Sequence, residues 1–261
     1  MTRRAIALLL LLLPVAARAE PLLVQAGKLS WGTSPTFTPF EFMRDGQPAG
    51  FDVDLMEALG KRVNLASNMM AMDFKGIIPG LLGGRIDAGV SGMYVTPQRQ
   101  EVADFIPYVR VGNQIVVQHG NPRHLDGPAS LCGAKVAVPV STAFEASAKQ
   151  ASAACAAAGK PEVDILSLPG SNVVALALSQ GRVDAALNST ATVAAMMGEA
   201  PGAYALAGEP FDADTRIGIA LRKDNPALKA QLEDALNAMV TDGSYAALLR
   251  KWNLPDQASV F

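Results

Sequence analysis

The sequence has few of the residues that build metal centres and catalytic dyads. Its 261 residues include two cysteines and two histidines. Two cysteines without a nearby histidine cannot fill a tetrahedral zinc shell, and His119 and His124 lie in a connector rich in glycine and proline. The motifs GxSxG and HExxH and the phosphate-binding P-loop are also absent. The sequence therefore predicts no metal and no cofactor, and it disfavours an enzyme.

Charge is scarce as well. Charged residues make up 18% of the chain, the formal net charge is −2, and no run of Lys or Arg is longer than two. A nucleic-acid-binding protein needs a basic face, so that class is disfavoured. Half of the residues are apolar, which is enough for the core of one large domain or of two lobes of roughly 120 residues each.

A long apolar run occurs at the N-terminus and nowhere else. Arg3 and Arg4 precede the apolar residues 5–13, and Ala17 and Ala19 form a small-x-small cleavage site. This pattern predicts a cleaved secretory signal peptide over residues 1–19, because nine apolar residues are too few to span a hydrocarbon core of about 30 Å. No cysteine follows the cleavage site, so a lipid anchor is disfavoured. We expect a protein that is exported to the periplasm.

Export would place the two cysteines in an oxidising compartment. Cys132 and Cys155 are 23 positions apart and have only each other to pair with. Zinc binding is the alternative, but it lacks ligands, and a catalytic thiol would need a basic partner that is not evident. The sequence predicts a structural disulfide.

Strand and helix patterns alternate along the chain. Apolar residues at helical spacing follow Asp52, which is placed to cap the first helix. The predicted helices cover residues 51–63, 75–82, 143–157, 171–180, 190–197, 226–240 and 244–252. The predicted strands cover residues 29–32, 66–72, 86–90, 115–117, 135–138, 163–167, 183–187 and 217–221. Strands separated by helices of this length predict βαβ units and mostly parallel sheets.

One segment is repeated. Residues 81–88 (LLGGRIDA) are echoed by residues 178–185 (LSQGRVDA) at a constant offset of 97. Each copy reads as a helix end, a glycine and the start of a strand, so we expect two related α/β lobes, each with its own sheet. The predicted first lobe comprises 20–112 and 209–261, and the second comprises 113–208. The chain then crosses twice between lobes, which predicts a ligand cleft between them.

Arg99 lies near a predicted helix start. Thr96 is a good N-cap and Pro97 a good first helical residue, so Arg99 falls near the third helical position, where its charge opposes the helix dipole. Two interpretations stay open on this geometry: a solvated surface arginine, or a cation that meets an anionic ligand beside free backbone N–H groups.

Several motifs together resemble a known family. They are GFDVDL (50–55), FTPF (37–40), Phe74 with Ile78-Pro79, GRID (84–87), TPQR (96–99), FIPY (105–108), LRKD (221–224) and DGSY (242–245). In this order they are similar to the polar-amino-acid solute-binding proteins of bacterial ABC importers. The resemblance implies a type II periplasmic binding-protein fold, a small carboxylate ligand that is an amino acid, delivery to membrane permease subunits, and a monomer that is not an enzyme.

The resemblance also implies roles for individual residues. Arg99 matches an arginine that clamps the ligand's α-carboxylate in a bidentate pair. Phe37 and Phe74 match aromatic walls around the ligand side chain; for each, ordinary core packing is the alternative. Thr142 matches a residue whose hydroxyl and N–H groups complete the carboxylate site.

The end of the first repeat's strand matches the family less closely. Ser91 and Gly92 match positions that supply hydroxyl and backbone groups beside the arginine. Tyr94 stands where Ser or Thr is common, so it either narrows the pocket or reaches the ligand with its hydroxyl.

Two further positions depart from the family in charge. Ser189 stands where relatives that bind free amino acids carry an acid for the ligand's α-ammonium, and Ser34 replaces an acid that some binders of basic amino acids use. Two interpretations of Asp73 stay open: a substitute anion, or a solvated loop charge. A buried ammonium without a counter-charge costs several kcal/mol. The sequence therefore favours a carboxylate, disfavours a cationic side chain and leaves the α-amine open. Three alternatives remain: a receptor for a hydroxy, keto or aromatic acid, a dehydratase-like enzyme on the same scaffold, and a ligand-sensing module.

Overall fold

The computed structural model describes residues 20–261, so the predicted signal peptide lies outside the described residues. This part of the chain contains twelve strands and eight α-helices. The strands are β1 (Lys28–Thr33), β2 (Thr36–Phe37), β3 (Glu41–Arg44), β4 (Gln47–Ala49), β5 (Ala66–Ala71), β6 (Ala88–Gly89), β7 (Asp104–Gln118), β8 (Lys135–Pro139), β9 (Asp164–Leu168), β10 (Ala185–Ser189), β11 (Tyr204–Leu206) and β12 (Phe211–Leu221). The helices are α1 (Phe51–Arg62), α2 (Phe74–Leu82), α3 (Pro97–Val102), α4 (Ala143–Ala157), α5 (Ser171–Ser179), α6 (Thr190–Glu199), α7 (Pro226–Thr241) and α8 (Ser244–Lys251). Within these residues, none of the helices combines the length and apolar character needed to cross a bilayer.

The main sheet carries a parallel group of strands in each half. Its order is β5-β1-β6-β12-β7-β10-β8-β9, with β11 paired to β7. In the first half, β1 pairs in parallel with β5 and β6, and in the second half β8 pairs in parallel with β9 and β10. Helices follow these strands, as expected for βαβ units. The predicted two-lobed α/β class is confirmed.

One expectation about the two halves is wrong. Each lobe was expected to have its own sheet, but the two sheets are joined. The crossings are long antiparallel strands rather than loops: β7 has 15 residues, β12 has 11, and they pair from Asp104↔Leu221 to Asn113↔Phe211. The apolar pattern predicted only the C-terminal parts of these strands, residues 115–117 of β7 and residues 217–221 of β12. Backbone pairing between the two crossings extends both strands through the junction and makes one nine-stranded sheet. The predicted boundary at 112/113 lies inside β7.

The repeat is confirmed in three dimensions. Gly84 and Gly181 end their helices with φ of +66° and +65°, a backbone conformation that glycine adopts without strain. The carboxylates of Asp87 and Asp184 each accept a backbone N–H of the neighbouring strand at 2.8 Å, from β1 and β8 respectively. The shared sequence thus encodes the same join between a helix end, a strand and a parallel neighbour.

The predicted capping role of Asp52 is wrong. The N-cap of α1 is Gly50, which provides no side-chain cap. The Asp52 side chain is buried, and it accepts hydrogen bonds from the Tyr108 hydroxyl at 2.7 Å and from the Gly92 N–H at 2.9 Å. It points into the protein because two donors from other elements are available there, whereas an N-cap carboxylate would serve only its own helix.

The predicted disulfide is confirmed. Cys132, just before β8, is bonded to Cys155 in the last turn of α4. The bond ties a helix of the second lobe to the strand that precedes it in the chain.

Candidate functional site

A cavity lies between the two lobes, at the ends of strands from both. Eight of the nine residues predicted to bind ligand line it: Ser34, Phe37, Phe74, Ser91, Gly92, Tyr94, Arg99 and Thr142. The first seven belong to the first lobe and Thr142 to the second. The structure thus brings together residues that are up to 108 positions apart in the sequence.

Arg99 lies where the helix signals predicted. Thr96 is the N-cap of α3 and accepts the Arg99 N–H at 3.3 Å, and Pro97 is the first helical residue. The guanidinium donates to backbone carbonyls of both lobes, from Nη1 to Tyr94 at 2.7 Å and from Nη2 to Ser141 at 3.2 Å. Its carbon atom Cζ also lies 5.2 Å from the centre of the Phe74 ring. The cation is therefore held in place at the mouth of the cavity.

The charge of Arg99 is unusual because no carboxylate balances it. In residues 20–261 the side chain takes part in no ion pair, although it is half-buried. Burial lowers the pKa of Arg99 to about 10, so the guanidinium remains charged at neutral pH. A desolvated cation that has only neutral partners attracts an anion.

The N-terminus of α4 faces the same cavity from the second lobe. Thr142 is its N-cap: the hydroxyl oxygen accepts the Glu145 N–H at 3.4 Å and the hydroxyl donates to the Pro139 carbonyl at 2.6 Å. The positive end of the helix dipole adds to the field of Arg99. The Thr142 hydroxyl proton, in contrast, is already engaged within the loop.

Four aromatic rings line the cavity, those of Phe37, Phe74, Tyr94 and Phe144. Phe37 stacks on Phe40 with ring centres 5.3 Å apart and faces Phe144 of α4 at 6.3 Å. Phe144 also meets Tyr94 edge to face at 5.2 Å. Sequence reasoning missed Phe144, although it is the second residue of the helix predicted over residues 143–157.

The hydrogen bond of the Tyr94 hydroxyl distinguishes the two interpretations of this residue. Its hydroxyl donates to Asn113 Oδ1 of β7 at 3.1 Å, and Asn113 Nδ2 donates to Asp212 Oδ2 of β12 at 3.1 Å. The hydroxyl is thus turned toward the two strands that join the lobes. The ring narrows the cavity, which favours the first interpretation.

Ser91 and Gly92 form a tightly packed corner at the end of β6. The Ser91 hydroxyl donates to Glu41 at 2.8 Å and accepts the Ser34 N–H at 3.0 Å. Gly92 has φ of +47°, and a Cβ atom there would lie 2.4 Å from the Phe37 ring. A residue with a side chain cannot occupy this position without displacing Phe37.

A buried acid at the cavity was not predicted. Glu41 lines the cavity, is 1% exposed, and is the one acidic residue among the described lining residues. Its Oε2 has no N–H or O–H donor in residues 20–261, and the neighbouring group is the carboxyl of Asp52. The turn Asp45-Gly46 between β3 and β4 is a hairpin signal that could have located this strand.

Glu41 and Asp52 are buried, neighbouring carboxyl groups, and like charges at close range disfavour ionisation of both. Burial, reinforced by the nearby charge of Asp52, raises the pKa of Glu41 well above its usual value. Burial also raises the pKa of Asp52, but hydrogen bonds from Gly92 and Tyr108 lower it. We therefore expect Glu41 to be the protonated member of the pair and to add no negative charge to the cavity.

Of the three other residues predicted to tune the charge, Ser34 lines the cavity, whereas Ser189 and Asp73 do not. Ser189 is 0% exposed and is not among the lining residues; it caps α6 by accepting the Thr192 N–H at 3.0 Å. Asp73 is exposed and also lies outside the lining. Ser34 lines the cavity as a neutral residue. A role for Ser189 in ligand binding stays a prediction. The described part of the chain contains no cluster of His, Cys, Asp and Glu that could hold a metal ion.

Two lobes joined by paired strands, with a cation and a helix N-terminus facing one cavity, define a protein that binds a solute between its lobes. The chain belongs to the bacterial extracellular solute-binding proteins, family 3, whose family model matches residues 29–255.

Individual relatives support this family. The arginine-binding protein ArgT of Corynebacterium glutamicum is 31% identical over 93% of this chain and 79% of its own length. The solved structure of an ancestral arginine-binding protein bound to arginine has a TM-score of 0.79 at 34% identity, covering 87% of this chain and 98% of that one. An ancestral amino acid-binding protein described as a precursor of cyclohexadienyl dehydratase has a TM-score of 0.76 at 30% identity, covering 87% and 95%. These relatives are binding proteins rather than enzymes.

Proposed function

We propose that this protein captures a small carboxylate, an amino acid bound through its α-carboxylate, and delivers it to the permease of a bacterial ABC importer. The observation that carries the proposal is Arg99, a half-buried cation at the cavity with no acidic partner in residues 20–261. A bidentate carboxylate would satisfy it. The arginine-binding function of the relatives supports an amino acid as the ligand class.

The proposed site consists of residues from both lobes. Arg99 and the start of α4 at Thr142 receive the carboxylate, and Phe37 and Phe74 contact the rest of the ligand. Ser34, Ser91, Gly92 and Tyr94 shape the floor. Because Arg99 donates to Ser141 across the cleft at 3.2 Å, the same side chain links ligand binding to lobe closure. Ser189 is neutral, so it is proposed to leave the ammonium of an amino acid without a counter-charge.

The place of action follows from the family and the N-terminal pattern. An extracellular solute-binding protein with a cleaved leader at 1–19 would work as a monomer in the periplasm. The lobes would be 20–112 with 209–261, and 113–208. No catalytic step is assigned, because the one acid at the cavity, Glu41, is held against Asp52 and Ser91.

A thermal-shift screen followed by calorimetry tests the proposal. Amino acids and their hydroxy- and keto-acid analogues should raise the Tm of the wild type, because a ligand of the folded state stabilises it by mass action. The corresponding amines without a carboxylate should not raise it. A panel in which the amines bind and the carboxylates do not would overturn the proposal.

A further inference from the structure

Phe144 occupies the part of the cavity that would otherwise take a ligand side chain. It is the second residue of α4, it is 3% exposed, and it extends from the second lobe to two rings of the first. Its ring centre lies 6.3 Å from that of Phe37 and 5.2 Å from that of Tyr94. The three rings close the cleft from both sides.

The rings that face Phe144 are held from behind. Phe37 is stacked on Phe40, and its ring lies directly over Gly92. Tyr94 is fixed by its hydrogen bond to Asn113 on β7. Neither ring can move back to make room without breaking these contacts.

Little volume remains beside the three rings. The cavity measures about 40 Å³, which is room for about three water molecules, whereas a benzene-sized void measures about 150 Å³. Phe144 is carried on the first turn of a 15-residue helix, which fixes the position of its backbone relative to the second lobe. A ligand enclosed by the closed lobes must coexist with this ring.

We infer that Phe144 is a specificity-determining residue that limits the ligand to carboxylates with short side chains. The inference rests on the proposed function, since it assumes that the carboxylate binds at Arg99. A ligand with a long or aromatic side chain would overpack the closed cavity, and overpacking of this kind lowers affinity by tenfold or more.

The test compares short and long carboxylates in four proteins by calorimetry. Glycine, L-alanine and L-lactate are the short probes, and L-glutamine, L-arginine and L-phenylalanine are the long ones. Wild type should bind the tightest short probe at least about tenfold more tightly than any long one. Phe144→Ala should bind a long probe at least about tenfold more tightly than wild type does.

Two variants serve as references. Phe144→Leu keeps an apolar side chain, so it should fold even if the alanine variant does not, and it should change the ratio of long to short affinities in the same direction by less. Phe42→Ala removes an aromatic ring that packs on Trp252, away from the cavity, and should leave the ratio unchanged.

The outcomes separate the two claims. If wild type binds carboxylates but binds the long probes as tightly as the short ones, or if both Phe144 variants leave the ratio unchanged, the inference is overturned and the proposed function stands. Two other results would overturn the proposed function: none of the six probes binds to wild type or to either Phe144 variant, or Arg99→Ala binds them as tightly as wild type does. The inference rests on the proposed function, so it would then fail as well.

Discussion

The two lobes share a scaffold but differ in what they bring to the cleft. Asp87 and Asp184 make the same hydrogen bond to a neighbouring strand in each copy of the repeat. At the cleft, the first lobe supplies a cation, Arg99, and a neutral buried acid, Glu41, whereas the second lobe lines the cavity with uncharged residues such as Thr142. A repeated sequence thus preserves the fold of each lobe and leaves the cleft chemistry of each free to differ.

The strand ends of the two copies show the difference most directly. Ser91 lines the cavity and links Ser34 to Glu41, whereas Ser189 is turned away and caps α6. Among the described lining residues, charged side chains therefore come from the first lobe alone. This difference between the lobes can be tested by mutation and titration.

The largest effect is expected from Arg99→Ala. Loss of the bidentate charge-assisted pair should weaken carboxylate binding by about 2–5 kcal/mol and leave the fold intact. Calorimetry measures the affinity. The exposed Arg182, at the strand start of the second repeat, provides the matched control Arg182→Ala, which should bind as wild type does. Near-wild-type affinity of Arg99→Ala would show that the first lobe does not recognise the ligand through the charge of Arg99.

The disulfide tests whether stability and recognition can be separated. Replacing both Cys132 and Cys155 by Ser should lower the free energy of unfolding by about 3 kcal/mol, because the bond no longer closes a loop in the unfolded chain. That loop lies within the second lobe only. Ligand preference should stay the same. Urea denaturation measures the free energy of unfolding, and calorimetry measures the ligand affinities. A ligand preference that changes while the variant is still fully folded would show that the disulfide contributes to recognition as well as to stability.

The Glu41–Asp52 pair predicts a pH dependence that belongs to the first lobe. Folding raises the pKa of Glu41 from its usual 4.5, so the folded chain holds that proton more tightly than the unfolded chain does. The stabilisation is fully present below about pH 4.5 and is lost as pH rises through the raised pKa, at about 1.4 kcal/mol per unit of pKa shift.

Glu41→Gln keeps the shape of the protonated side chain and cannot ionise. The difference in unfolding free energy between this variant and wild type should therefore grow in favour of the variant as pH rises above 4.5, the usual pKa of a glutamic acid side chain. Urea denaturation across the pH range measures it. A difference that is constant with pH would show that Glu41 is ionised in the folded protein.

The smallest predicted effect concerns the second lobe. Ser189→Asp should move the ratio of affinities for an amino acid and its hydroxy-acid analogue toward the amine by about tenfold, or 1.4 kcal/mol. Asp is as good an N-cap as Ser, so α6 should remain capped. Ser189→Asn, which also caps but carries no charge, is the control. An equal shift in both variants would mean that charge is not the cause.

The sequence was most informative where a signal is local. The N-cap Thr96, the first-turn Pro97 and the position of Arg99 follow from helix rules, and α4 begins and ends at the predicted residues. The repeat and the disulfide likewise lie where the sequence pattern placed them. Eight of the nine proposed site residues line one cavity, and their roles in ligand binding stay predictions.

What could not be predicted depends on partners far apart in the chain. Asp52 reads as a helix cap, but Tyr108 and Gly92 turn it inward. The strand predicted over 86–90 shortens to Ala88–Gly89, because only two of its residues pair with β1. Phe144 reads as an ordinary core residue, and its place between two lobes exists only after the chain has crossed twice.

One titration tests the asymmetry between the lobes directly. Wild-type protein is titrated with L-alanine and, separately, with L-lactate, which differ only in the amine that the second lobe is proposed not to recognise. If Arg99 of the first lobe is the one charged side chain that recognises the ligand, the two dissociation constants should agree within about tenfold, which is 1.4 kcal/mol. L-Alanine binding at least about a hundredfold more tightly than L-lactate would contradict the account and show that the closed site holds a counter-charge for the ammonium.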